Sequence, residues 1–296
     1  MGRRRVRVAT HGGRGADLPP HGATGGRRLT ASRAPGSIPG LVDSHCHLQD
    51  PAFDADRDAV IERARAVGVE RILVPGWDVA SSRAAVDLAR RHAGLVQAAA
   101  GVHPHYAAAV SVTDWDELAV IAARPEVVAV GEIGLDFHRN LSPPDVQVAA
   151  FDRQLAMARQ LGKPVLVHDR EAHEAVSAAL LDWTGSPDPQ VRGVLHAFSG
   201  DAAMAARLSE RGYLVSFALP VAFRSARGPR DAARALPDGA FLVETDSPWL
   251  APGGREERNE PTTVVRVVAE VAKLRGASPQ AVASGVRATY ERLLGG

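Results

Sequence analysis

The chain has 296 residues, of which 45% are hydrophobic, 23% charged and 5% aromatic, which is enough apolar content to bury a core and excludes a disordered or fibrous chain. Its formal charge of +1 is unevenly spread: residues 1–40 hold eight Arg against Asp17, a local +7, which leaves −6 for residues 41–296. Mean hydropathy is −0.10 and no stretch reaches the ~18 apolar residues of a membrane span, so an integral membrane protein is not expected.

At the start, Arg3-Arg4-Arg5-Val6-Arg7 has the basic character of an export signal. Gly, His, Pro and further Arg stand where its apolar segment must follow, so export is not expected. Residues 1–40 lack hydrophobic periodicity and read as a disordered Arg/Gly/Pro-rich extension, either a phosphate-binding arm or a dispensable one. The single cysteine, Cys46, cannot form an internal disulfide; it fits a reducing, cytoplasmic setting and excludes a multi-cysteine metal site.

From Leu41 onward, short apolar runs are each followed by a helical pattern, the rhythm of βα units and a parallel sheet. Strands are expected at 41–45, 71–75, 95–102, 127–131, 164–168, 192–196, 213–217 and 240–245. Several runs are continuous rather than alternating, as in strands buried on both faces. Eight units in about 250 residues predict an α/β fold, a TIM (β/α)8 barrel forming one domain over 41–296. A doubly wound open sheet is the competing architecture, but no G-x-G-x-x-G follows the first strand, and polar residues recur at many strand ends rather than at one switch point.

Strand 1 ends in Asp43-Ser44-His45-Cys46-His47, and a spacing of two in extended chain puts both imidazoles on one side. Alone, such a pair is weak evidence for a metal. Glu132 follows strand 4, His168 ends strand 5, His196 ends strand 6 and Asp246 follows strand 8. In a parallel barrel all these ends face one rim, where active sites of this fold are built. Singly, each has a bland reading: Glu132 and Asp246 as helix caps, His168 and His196 as partners of loop carbonyls. Together they suit Zn²⁺, Mn²⁺, Mg²⁺ or Fe²⁺, and six ligands exceed the needs of one tetrahedral ion, so two ions with a bridging carboxylate are expected. Such a pair favours hydrolysis. Only two lysines exist: Lys163 opens strand 5 at the far rim and Lys273 is read in the last helix, which disfavours a Schiff-base mechanism and a bridging carbamylated lysine.

The motifs Asp-Ser-His-Cys-His-Leu (43–48), Gly-Val-His-Pro-His (101–105), Gly-Glu-Ile-Gly-Leu-Asp (131–136), Val-His-Asp-Arg-Glu-Ala (167–172), His-Ala-Phe-Ser-Gly (196–200), Glu-Thr-Asp-Ser-Pro-Trp-Leu-Ala-Pro (244–252) and Arg-Asn-Glu-Pro (258–261) resemble those of TatD-type metal-dependent deoxyribonucleases. The resemblance runs from about residue 41 to the end. It implies a metal-dependent hydrolase of the TIM-barrel superfamily that uses two divalent ions (Mg, Mn or Zn) and acts on DNA as a 3′ to 5′ exonuclease, on single-stranded or frayed ends, as a monomer. Carried over motif by motif, His45 and His47 bind the first ion, Glu132 bridges, and His168 and His196 bind the second. Asp246 joins the first ion and takes the proton of the attacking water. His103, His105, Arg170 and Arg258 contact substrate phosphate, although an interior hydrogen-bonded role stays open for the two histidines, and helix capping for Asn259 and Glu260. Two departures stand out: His138 follows Phe137 where the family places aromatics, and the 253–257 loop lacks the usual Pro. The alternatives are a binuclear hydrolase of a small-molecule ester, lactone or phosphoester, and a barrel that binds without catalysing.

Overall fold

The apolar runs of the sequence become the strands of a nearly closed parallel barrel. The computed structural model describes residues 37–183, 192–254 and 256–295. Among them are eight strands, β1 (Leu41–Asp43), β2 (Val69–Pro75), β3 (Val96–Ala100), β4 (Val127–Asp136), β5 (Val165–Arg170), β6 (Gly193–Leu195), β7 (Tyr213–Phe217) and β8 (Phe241–Val243), paired in sequence order and all parallel. Seven helices fill the intervals: α1 (Arg57–Val67), α2 (Val79–Arg91), α3 (Val112–Ala122), α4 (Pro144–Leu161), α5 (His173–Asp182), α6 (Ala202–Ser209) and α7 (Arg227–Ala235). After β8 come α8 (Val264–Arg275) and α9 (Pro279–Leu294). Lys273 therefore lies in α8 and not in the last helix, because Gly276, with φ +64°, caps α8 and Ser278 starts a further helix. Lys163 is at the far rim as expected, donating to the carbonyls of Ala122 and Arg124.

The strands are buried on both faces: Ile72, Leu73 and Val74 in β2 and Leu166 and Val167 in β5 are fully enclosed. Each such side chain contributes on the order of 1.5–3 kcal/mol by leaving water. Local signals place the helix ends. Asp78 with Ser81, and Ser111 with Asp114, form capping boxes at α2 and α3, and Gly68 and Gly162 close α1 and α4 in the left-handed region.

Closure between β1 and β8 is made by backbone bonds beyond their formal ends: Ser44 N–H donates to Val243 O (3.0 Å), Asp246 N–H to His45 O (2.9 Å) and His47 N–H to Ser247 O (2.7 Å). Asp43 ties the seam further, accepting from the Thr245 N–H (2.9 Å) and hydroxyl (2.6 Å). Burial pushes the Asp43 carboxyl up to about 8. The Arg-rich segment read as an extension lies, as far as residue 36, outside the described residues. Ile38, within the same stretch, is buried, and its N–H donates to Val67 O.

Among the described residues no helix is long and apolar enough to cross a membrane.

Candidate metal centre

Strand β4 runs to Asp136, five residues past its expected end, because it carries a bulge. Val130 pairs with Val165 and Ile133 with Val167, so three steps on β4 match two on β5. Glycines make the approach possible. A Cβ on Gly131 would stand 2.5 Å from Leu166 Cβ, and Gly134 holds φ +135° with its missing Cβ 2.0 Å from His168 O. The irregularity carries Glu132, whose side chain is 3% exposed, into the centre of the barrel mouth.

Around it the strand ends converge. Glu132 Oε2 lies 3.4 Å from His45 Nε2 and 3.7 Å from His47 Nε2. Asp246 Oδ1 faces the same two nitrogens at 3.7 and 3.6 Å. The other carboxylate oxygen, Glu132 Oε1, lies 2.9 Å from His168 Nδ1, 2.8 Å from His196 Nε2 and 3.3 Å from His103 Nε2. The two oxygens of one buried carboxylate thus serve two groups of imidazoles. All six residues expected as ligands are brought together, and three overlapping sets have ligand atoms within 4.8 Å of one another: His45, His47 and Asp246; His45, Glu132 and His196; and His103, Glu132 and His168.

The donor set fits divalent cations. His45 Nε2 and His47 Nε2 approach to 3.2 Å, as do His168 Nδ1 and His196 Nε2 at 3.1 Å, so ring nitrogens face each other across buried space that also holds carboxylate oxygens. Positive charge is needed to hold so many lone pairs together, and nitrogen with oxygen donors and no thiolate suits Zn²⁺, Mn²⁺ or Mg²⁺. Electrostatics agree. Burial alone would raise the Glu132 carboxyl, but His196, His103 and His45 outweigh it and hold it well below the ordinary range. Burial likewise opposes ionisation of Asp246, and the hydrogen bond from His47 with the charges of His196 and His45 reverses this. Against burial, Glu132 raises His196 well above its ordinary value, while burial dominates at His45 and lowers it.

Two carboxylates given no role from the sequence stand behind the candidate ligands. Asp136 Oδ2 lies 2.7 Å from His105 Nε2 and 3.5 Å from His168 Nε2, while its Oδ1 accepts from the N–H groups of His138 and Arg139. Glu244 Oε1 sits 3.4 Å from His196 Nδ1 and accepts from Ala197 N–H. Carboxylates in this position fix the tautomer and direction of an imidazole. The only sequence signal was that each closes or follows a strand within a motif that also holds a ligand.

The four residues expected at substrate are placed differently from one another. His103 is turned inward: its Nδ1 accepts from His105 N–H (3.1 Å), so the ring proton sits on Nε2, facing Glu132. Burial lowers His103 to about 3. His105 is held by Asp136. Arg170 ends β5 at the rim, half-buried, its carbonyl accepting from Phe137 N–H. Arg258 is engaged away from the cluster, bidentate on Asp56 (2.6 and 2.8 Å), bonded to Ala52 O and Glu260, and stacked over Phe53. Glu260 in turn accepts both arms of the Arg63 fork.

That network has a pH signature. Hydrogen bonds from Arg63 hold the Glu260 carboxyl below its ordinary value. A carboxyl lowered on folding contributes stability above its unfolded value and loses it as pH falls through the folded one. Between about pH 5 and pH 3 the wild-type melting temperature is therefore expected to fall further than that of Glu260→Gln. Parallel slopes in thermal melts would contradict this.

Residues 42–295 match the family model described as TatD related DNase. This chain belongs to that family. The 3′-5′ ssDNA/RNA exonuclease TatD of Erwinia amylovora is 38% identical over 243 residues, covering 80% of this chain and 92% of the relative. The uncharacterized metal-dependent hydrolase YabD of Bacillus subtilis is 35% identical over 254 residues, 86% of this chain and 98% of the relative. Among solved structures, the TatD homologue YJJV of Escherichia coli superposes with a TM-score of 0.80 at 30% identity, over 86% of this chain and 97% of that one. TatD membership fits the barrel and the His/carboxylate mouth, and it accounts for the order in which the motifs occur.

Proposed function

We propose that this TatD-family metal-dependent hydrolase is an exonuclease that removes nucleotides from the 3′ end of single-stranded DNA, with two divalent ions at the barrel mouth. The division of Glu132 between two imidazole groups carries the reading, since one carboxylate so placed is suited to bridge two cations. His45, His47 and Asp246 would hold one ion, His168 and His196 the other, with Glu132 shared. Divalent ions at such a site supply activation of water and neutralisation of charge at phosphorus.

The protein's own groups do the rest. Asp246, at 14% side-chain exposure against 3% for Glu132 and 1% for Asp136, is the most open of the three carboxylates and is placed to accept the proton of the attacking water. Asp136 and Glu244 hold His168 and His196 in direction. Arg170 has a fork suited to a phosphate at the rim. His103 and Arg258 act as braces, the first on Glu132 and the second on the loop that follows β8. The names of relatives include RNA as well as DNA, so both strands belong in the assay. A lone buried thiol, Cys46, fits work in the reducing cytoplasm.

The test is gel-resolved digestion of 5′-labelled single strands with Mg²⁺ or Mn²⁺. Stepwise shortening from the 3′ end is expected, abolished by chelator and by His45→Ala. Shortening that persists in chelator, or an intact strand beside rapid hydrolysis of a small ester, would overturn the reading.

A further inference from the structure

Residues 41–296 carry a formal charge of −6, so the barrel has no broad attraction for a phosphate backbone. Affinity for a strand has to come from local contacts, and stacking on bases is one that needs no net charge. The described residues include three exposed aromatic side chains: Tyr106, Phe223 and Trp249, 43%, 43% and 52% exposed. All three leave the carboxyl ends of strands, after β3, β7 and β8, on the rim that holds the candidate metal centre. Of the exposed aliphatics, Val112, Val120 and Val148 are carried on helices, while Leu141 and Leu250 share the rim loops after β4 and β8. Aromatic faces gathered at the mouth of one site, rather than scattered, need a reason.

Trp249 is the best placed. Its N–H donates to Asp246 O (2.8 Å), which seats it one turn beyond the carboxylate assigned the water's proton. The turn is fixed from behind: Asn259, itself buried, donates its N–H to Pro248 O (3.0 Å) and its side-chain amide to Thr245 O (2.9 Å). Leu250, next in the chain, is held at φ 55°, a left-handed conformation that a branched residue keeps only under constraint. A backbone fixed in this way presents a solvent-facing indole three residues past Asp246. Burying the ring would have stabilised the fold; leaving it open makes sense for a planar partner.

We infer that Trp249 is the stacking platform for the unpaired nucleobase next to the scissile phosphate, with Tyr106 and Phe223 offering further faces on the same rim. The inference rests on the exonuclease reading and deepens it. Every base has a π face, so such a platform selects unpaired over paired strands and tolerates any sequence. The platform is a positioning device: it sets where the phosphate lies and takes no part in proton transfer.

The experiment compares wild type, Trp249→Ala and Trp249→Phe, full chain and metal-loaded, each checked for folding by circular dichroism. The probes are two 5′-labelled oligothymidylates ending in a 3′ phosphorothioate linkage that resists cleavage, one with bases throughout and one abasic at its last two positions. Binding is read by anisotropy, and KM and kcat are read on the cleavable versions. Wild type should bind the base-bearing strand roughly 5- to 100-fold more tightly than the abasic one. Trp249→Ala should lose that preference, chiefly in Kd and KM, and Trp249→Phe should recover most of it. A wild type that cleaves both strands with equal KM, or a Trp249→Ala variant that keeps the preference, overturns the platform while leaving the exonuclease standing. A wild type that neither binds nor cleaves any strand overturns both.

Discussion

Glu132→Gln is expected to lower hydrolysis by about three orders of magnitude and to strip bound metal, with the barrel still folded. The substitution keeps the shape of the side chain and removes its charge. In the wild type one oxygen faces His45 and His47 and the other faces His168, His196 and His103, so an amide offers one acceptor where two are needed and turns its NH₂ toward ring nitrogens on the other side. Without the carboxylate, only the weaker influence of Glu244 offsets the burial that disfavours charge on His196, and the second group loses its nearest anion. Removing one partner from a buried charged set destabilises by roughly 3–5 kcal/mol in general, less here where the neighbouring imidazoles can shed their protons. The check is metal content of the dialysed protein by elemental analysis, activity on labelled strands and a thermal melt. Two retained equivalents of metal with wild-type turnover would remove Glu132 from the bridge.

The barrel was legible because strands buried on both faces must be written as continuous apolar runs, and those runs placed the strands of the sheet to within a few residues of their observed ends, β4 excepted. What escaped depends on neighbours distant in sequence. The length of β4 follows from its bulge against β5, which needs the partner strand to be seen. The candidate ligands were legible because each was read at or just past a strand's carboxyl end, where the fold itself decides the direction, although Glu132 lies within β4 at its bulge. Their supporting carboxylates were not: Asp136 acquires its role from His105, 31 residues earlier, and Glu244 from His196. Arg258 shows the same limit from the other side. Its motif suggested substrate, yet Asp56, 202 positions away, engages the guanidinium at both ends. A local pattern states which chemistry a side chain can do, and long-range contacts decide which of those it is free to do.

The backbone at the rim separates the two roles proposed for Asp246. Asn140, Glu171, Ala197, Asp246 and Leu250 are the non-glycine residues with positive φ among those described, and each lies in a loop leaving a strand's carboxyl end. Such conformations cost about 1–2 kcal/mol apiece and persist where the surroundings impose them. Asp246, at φ 56°, is of a type that tolerates this region, as is Asn, whereas Ala is not. Asp246→Asn should therefore preserve the turn and, through its amide oxygen, one neutral ligand atom, while losing the ability to take a proton. Asp246→Ala should lose ligand, base and backbone preference together. The expected result for Asp246→Asn is a fall in kcat of about 10²- to 10⁴-fold, with KM and melting temperature close to wild type and most of the metal retained. For Asp246→Ala, metal content should fall by about one equivalent and the melting temperature should drop. If the Asn variant loses metal as fully as the Ala variant, its rate defect belongs to ligation and the proton must be taken elsewhere. If it keeps both metal and rate, Asp246 is not the base, and its part at the site is at most that of an oxygen ligand, which the Ala variant's metal content then decides.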